Sequence, residues 1–277
     1  AQKERDPSGL CVAQTELAIL SNFQGKFRQA LDHSIQATGN CDKTKTSYFA
    51  QRLGWEPSIV AHCQKAIALI CLGRPGDAQA ATENAIGAAE ALDHPAVTIY
   101  AYCYAGVFSA FLADDFAALH KHANRCIAMG KTSNVPQYMA WSFCLRAAAF
   151  AEEGNVEEAR ESFEKGKTLR AGLDYTGHGT ITKLAGAKVY LRRGDLVQAQ
   201  KLCDSALQQS AATNEKWVDA ELWRMKGDLF RQPELFNIEA AEDCYRRGLA
   251  IARVQEASLF ASKCRESLAR LLEAGNC

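Results

Sequence analysis

The sequence predicts an all-helical fold built from repeated helix pairs, and three observations carry that prediction. Only 6 prolines occur in 277 residues, they fall between helical patterns, and no segment alternates β-branched and polar residues as a half-buried strand would. Turns that open on glycine and close on alanine five residues later recur at Gly25–Ala30, Gly73–Ala78, Gly154–Ala159 and Gly194–Ala199, with Ala113–Ala118 as a glycine-free version. The closing alanines at 30, 78, 118, 159 and 199, followed by Ala241 after a looser turn at Pro233, stand 48, 40, 41, 40 and 42 residues apart. A near-constant period of about 40 residues marks a stacked helical array, in which each unit buries its apolar face against its neighbours.

Taken in order, the pattern gives helix pairs over 6–39, 56–92, 95–131, 136–172, 178–212 and 216–253, all within a single domain spanning 1–277. Asn40–Ser47 reads as a polar loop, the one flexible segment expected away from the termini. His94-Pro95 and Val135-Pro136 each introduce a first helix, because proline is tolerated in an opening turn. Twelve residues before the closing alanine stand Ala18, Ala66, Gly106, Ala147 and Ala187, and seven after it stand Ala37, Ala85, Gly166, Ala206 and Gly248. Small side chains at both places let two antiparallel helices approach to about 8–10 Å. Arg125 is the exception at the second place and leaves the register of the third pair open. Residues 256–273 form a last amphipathic helix, with Leu259, Cys264, Leu268 and either Leu271 or Leu272 on its apolar side, suited to capping the stack.

Small, small and aromatic positions around a Gly-Asp turn, with Phe163 and Tyr245 four residues after their alanines, resemble the tetratricopeptide (TPR) repeat. The resemblance implies a right-handed superhelical solenoid of about six TPR-like helix pairs plus a C-terminal capping helix. Ala220–Leu229 and Ala241–Arg253, together with Leu72–Ala78 and Gly154–Gly166, are similar to the last repeats of a large bacterial signalling family. There the helical region follows a STAND-type ATPase module that is joined to a class III nucleotide cyclase or a DNA-binding domain. A more remote similarity is to the sensor region of the maltose-regulon activator, which implies binding of a small inducer. The chain begins at Ala1 and shows neither ATPase nor cyclase motifs, so the expectation is an excised sensor region whose effector domains are attached in the parent protein.

Composition narrows the function classes. Lys plus Arg and Asp plus Glu both total 32, so the chain lacks the net positive charge of a nucleic-acid binder, and even the arginine-rich end from Glu239 is balanced. Apolar runs such as Ala147–Ala151 fall short of the roughly 20 residues that cross a bilayer, so the expected location is cytoplasmic. The 11 cysteines show no Cys-x-x-Cys pair and sit among small apolar residues, which predicts reduced thiols, with Cys277 the most open to oxidation. Gly130-Lys131-Thr132 and Gly166-Lys167-Thr168 lack the upstream glycine of a phosphate-binding loop. His120 and His122 point about 200° apart on a helix and cannot share a metal. Neither a nucleophile elbow nor a zinc-protease motif occurs, so the chain is expected to be no enzyme, with no cofactor and no metal site.

In the TPR register the inner wall comes from the first helix of each pair. It places Tyr100, Cys103, Trp141 and Cys144 in an apolar stretch and Leu184, Lys188, Arg192 and Arg224 in a charged one. These eight are the candidate ligand-binding residues of a concave groove, for a small molecule or a partner peptide. The structural alternative is that the aromatics and thiols fill the contacts between helices. At the level of function, the leading expectation is a non-catalytic sensor that regulates an attached ATPase, cyclase or transcription effector. The alternative is a constitutive scaffold or dimerisation module.

Overall fold

A computed structural model describes residues 7–41, 46–133, 135–173 and 177–275, so Cys277 lies outside the described residues. Among these the regular elements are all helical. They are α1 (Pro7–Phe23), α2 (Phe27–Asn40), α3 (Thr46–Leu53), α4 (Pro57–Cys71), α5 (Pro75–Leu92), α6 (Pro95–Ala113) and α7 (Phe116–Ser133), then α8 (Pro136–Glu152), α9 (Val156–Ala171), α10 (Gly179–Arg192), α11 (Leu196–Thr213), α12 (Asp219–Leu229), α13 (Ile238–Val254) and α14 (Ser258–Gly275). A short 3₁₀ turn, Pro233–Leu235, separates α12 from α13. The fold class is the predicted one, an array of antiparallel helix pairs closed by α14, which packs on α13 and α12. Within the stretch read as a polar loop, α2 runs to Asn40 and α3 starts at Thr46, while residues 42–45 lie outside the described residues.

Local chemistry explains where the helices begin and end. Every one of the six prolines is the first residue of a helical element, where its missing N–H would have had no partner in any case. Glu56 caps α4 by accepting from the Ile59 amide at 2.7 Å, Asp195 caps α11 through the Gln198 amide at 3.1 Å, and Asn237 caps α13 through the Ala240 amide at 3.0 Å. The recurring turns share one closure, in which the amide three residues past the helix reaches back five residues. Lys26 bonds Ser21 O at 2.8 Å, Arg74 bonds Leu69 O at 2.9 Å, Asn155 bonds Phe150 O at 2.8 Å and Asp195 bonds Tyr190 O at 3.0 Å. This closure needs a left-handed residue, which Gly25, Gly73, Gly154 and Gly194 supply with φ of 70°, 77°, 84° and 76°.

The third pair resolves the register that Arg125 left open. Its left-handed residue is Asp114, φ 55°, and the matching bond runs from Asp115 N to Ala110 O at 3.0 Å. Counting five on from Asp114 gives Leu119, and seven further gives Cys126; both are fully buried, whereas Ala118 is half-buried and Arg125 exposed. The pair is therefore displaced by one residue from the alanine count. The cause lies in α6, whose Tyr102–Phe108 segment is wound as a π-helix and so inserts one extra residue into the first helix. Gly106 sits in that segment, and a Cβ there would meet His122 Cγ at 2.7 Å.

Two compact units divide the chain. One comprises residues 1–22 and 26–142, the other 23–25 and 143–277. In the first, α2 packs on α4, and α6 packs on α4, α5 and α7. By length and mean hydropathy (1.6) α6 is apolar enough to cross a bilayer, but 78% of it is buried within the fold, as expected of a helix wrapped by neighbours. In the second unit, α8 from Cys144 onward, α9 and α10 meet through Cys144, Ala147, Ala151, Ala159, Phe163 and Val189. The turn residues Phe23–Gly25 belong to this unit. Lys216 N donates to Phe23 O at 2.7 Å, and the Phe23 ring stacks on Trp217 at 5.8 Å and 9°.

The second unit's core sets two expectations. Ala159 is fully buried in that cluster, so Ala159→Arg forces a charged side chain into a filled space and lowers stability by about 3 kcal/mol or more. Gly186→Ala gains about 1 kcal/mol of helix propensity, yet its Cβ runs into the Phe163 ring and meets Leu202 Cδ1 at 2.9 Å. It should therefore be net destabilising. Thermal melts followed by circular dichroism read both, and a wild-type midpoint for either variant contradicts the packing described.

Candidate functional site

In the first unit the candidate residues fall in an aromatic cluster. Tyr100, Tyr104 and Phe108 repeat every four residues along α6, which places them on one side of the helix. Tyr100 and Tyr104 stack at 4.1 Å and 13°, and Tyr104 meets Phe108 edge-on at 5.0 Å. From α8, Tyr138 approaches Tyr100 at 6.2 Å, and Trp141 stands 5.6 Å from Tyr138 and 6.0 Å from Tyr104. Tyr100 and Tyr138 are half-buried, whereas Trp141 (3% exposed), Tyr104 and Cys103 are closed away. A polar chain leads to this cluster. Asn22 Nδ2 donates to Gln64 Oε1 at 2.9 Å, and Gln64 Nε2 donates to Tyr100 Oη at 3.2 Å. Burial raises the Tyr100 pKa well above its usual value, so the phenol stays protonated and keeps its own hydrogen available.

In the second unit the candidates divide differently. Cys144 and Leu184 are buried, and desolvation pushes the Cys144 thiol up to about 12, which makes it an inert packing group rather than a nucleophile. Lys188 is only 5% exposed, with its Nζ 4.0 Å from Glu221 Oε1. Glu221, Arg224 and Asp228 stand at i, i+3 and i+7 on α12 and so share a face. Arg224 grips Glu221 with two bonds of 2.6 and 2.8 Å and reaches Asp228 Oδ2 at 2.6 Å, while Asp228 Oδ1 accepts from Tyr245 Oη at 2.7 Å. Burial works to raise the Glu221 pKa, but Arg224, Lys263 and Lys188 outweigh it and hold the carboxyl below its usual range. Arg192 is exposed and pairs with Glu152 one repeat earlier, its Nε 3.1 Å from Oε2.

The groups beyond the eight candidates include several that the sequence reading did not single out. Gln64, Asn22, Tyr104 and Tyr138 carry the first unit's arrangement; a polar residue within an otherwise apolar first helix was the available signal for Gln64. A second buried knot joins Thr180 to Glu215, whose Oε1 accepts from Thr180 Oγ1 at 2.7 Å and from Trp217 Nε1 at 3.2 Å. Glu215 lies between helix pairs, where no periodicity marks it. Among the described residues no group of three or more His, Cys, Asp or Glu side chains is placed to hold a metal ion.

Comparison with known proteins adds a fold relationship. No family model and no curated protein matches the sequence. Among solved structures, the chain is similar to the crystal structure of a Rap protein complexed with Competence and Sporulation Factor, with a TM-score of 0.69 at 17% identity. The match covers 91% of this chain and 66% of that one, so this chain spans just under two thirds of its neighbour's length. At that identity the likeness establishes the helical-repeat fold and nothing finer.

Removing the central carboxylate tests the ionic network. Glu221→Gln leaves the buried Lys188 and the partly covered Arg224 with too little negative charge and should lower unfolding free energy by about 3 kcal/mol near pH 7. Because the folded pKa of Glu221 is depressed, its contribution is present above the ordinary glutamate range and disappears as pH falls through the folded value. The gap between wild type and variant in urea denaturation should therefore narrow in acid. A constant gap, or none, contradicts the network's role.

Proposed function

We propose that this chain is a non-catalytic binding and sensing module that takes a protein, peptide or small-molecule partner on the inner faces of its first helices. The observation that carries this reading is the half-buried Tyr100–Tyr138 pair. Two large aromatic side chains at the edge of a closed cluster offer both an apolar face and a polar tip, the composition that recurs at binding hot spots. Support comes from the fold shared with a Rap protein that was crystallised with Competence and Sporulation Factor.

Sensing follows from the construction. Because successive pairs pack on one another, a partner that prefers one arrangement of the pairs shifts the whole population towards it, and the differential affinity is the coupling energy. In this reading the module acts from the cytoplasm on an attached effector, for which a STAND-type ATPase, a nucleotide cyclase or a transcription factor is the expectation set by the sequence resemblance. The buried and hydrogen-bonded state of the cysteines and acids described above supports a binding role over a catalytic one.

A scaffold reading has one observation in its favour. Leu10, Leu17 and Leu20 on α1 are 38%, 41% and 55% exposed and fall on one side of the helix, a surface suited to self-association.

The test is a thermal-shift screen of the whole chain against sugars, nucleotides, acyl compounds, amino-acid derivatives and peptide pools, repeated with Tyr100→Ala. Sensing predicts a saturable rise in melting temperature for one class and at least a tenfold weaker response in the variant. Stabilisation that depends only on protein concentration would favour the scaffold, and an equal response from both proteins would remove Tyr100 from the site.

A further inference from the structure

A cleft lies on the side of α6 that carries its π-helical segment. There α5 and α7, the second helices of two successive pairs, each pack on α6 and leave a cleft of about 640 Å³ between them. Its volume is that of a small-molecule site. Ala105, Ala110 and Ala113 line its floor, with Ile70 and Ile86 also in the lining and the His122 ring against Gly106, so an alkyl chain meets a largely apolar surface.

Two features show that the floor is more than a seam between helices. A helical serine ordinarily turns its hydroxyl back to the carbonyl four residues earlier. For Ser109 that carbonyl is Ala105 O, which already accepts from Thr82 Oγ1 of α5 at 3.1 Å. Ser109, 8% exposed and lining the cleft, is left with a hydroxyl that has no hydrogen-bond partner, an arrangement that a buried polar group normally avoids. Further along, His122 Nδ1 is likewise unpartnered, and burial together with Lys121 lowers the ring's pKa, so it stays neutral near pH 7. Both atoms stand beside the π-helical turn, a distortion that often marks functional sites.

The charges around the cleft select the ligand. Its lining holds the carboxylates Glu83, Glu90 and Asp115 against the single cation Lys121; Arg125 lies over the Tyr102 ring and is not part of the lining. The acids are spread along the cleft. Glu90 accepts from Tyr102 Oη at 2.7 Å at one end of the π segment, Glu83 stands two turns away along α5, and Asp115 follows Ser109 beyond the other end. Glu83 and Glu90 are therefore about 10 Å apart along the helix axis.

We propose that this cleft binds a linear aliphatic polyamine, its methylene chain on the alanine floor and its ammonium groups at Glu90, Glu83 and the Ser109–Asp115 end. Each acid already accepts one hydrogen bond from a neutral group, Glu83 from Gln79, Glu90 from Tyr102 and Asp115 from the Ala118 amide, so a neutral ligand adds no opposing charge and an anion would be repelled. Compact inorganic cations satisfy the charge without using the apolar floor.

Isothermal titration of the whole chain with spermidine at fixed ionic strength tests the assignment, with MgCl₂ at equal ionic strength as the comparison. Saturable spermidine binding that Mg²⁺ neither reproduces nor abolishes is expected. Three variants locate it. Gly87 lines the cleft and a Cβ there meets nothing within 4 Å, so Gly87→Phe should fill the cleft, keep the melting temperature and lose binding. Glu83→Gln with Glu90→Gln should weaken binding at least tenfold. Ser109→Ala removes a hydroxyl without a partner, so the unliganded protein should melt no lower than wild type while affinity falls several-fold. No heat from spermidine, displacement by Mg²⁺, or undiminished binding by Gly87→Phe each overturns the proposal.

Discussion

The close approach of helices at alanine and glycine is the constraint on which the rest of the molecule depends. Ala18, Ala66, Ala147 and Ala187 are fully buried on the first helices, as are Ala30, Ala159, Ala199 and Ala241 on their partners. Where a methyl or a hydrogen is all that separates two backbones, dispersion contacts form along the whole seam, and no larger residue fits without moving a helix. Gly227 shows how tight the fit is, since a Cβ there would overlap the Tyr245 ring, whose hydroxyl is in turn held by Asp228. The seams fix how each helix is rotated, and that rotation decides which side chains face a partner and which face the core.

Much of this was legible in the sequence because its signals are local and periodic. Alanines at fixed spacing, glycines at left-handed turns and prolines at helix starts each report a short-range backbone requirement, and the turns close on the residues that the count marks. The third pair was less legible for a definite reason. Its turn uses Asp114 in place of glycine, and the extra residue of the π segment moves the seam from Ala118 to Leu119. The π segment is a property of how α6 is wound, which no periodicity in its composition reveals.

The candidate site was legible in part. Arg224 was placed among inward-facing charges by register, and the i, i+3 and i+7 spacing of Glu221, Arg224 and Asp228 puts the two acids on the same face of α12. What spacing does not give is burial. Trp141, Cys103, Cys144 and Leu184 are closed off by neighbouring helices, while Tyr100 and Tyr138 retain an open edge. The partners that tune these groups, Gln64 beside Tyr100 and Tyr245 beside Asp228, come from other helix pairs or from the second helix of the same pair, beyond the reach of any local pattern.

The first helices α4, α6, α10 and α12 are buried on nearly every side, whereas α5, α7, α11 and α13 bury only a stripe. Native-state hydrogen exchange, resolved helix by helix by mass spectrometry, tests the claim that tightly seamed first helices organise the fold. The account predicts that backbone amides of α4, α6, α10 and α12 exchange more slowly than those of the second helices paired with them. Equal protection in both sets, or fastest exchange in the first helices, would contradict it.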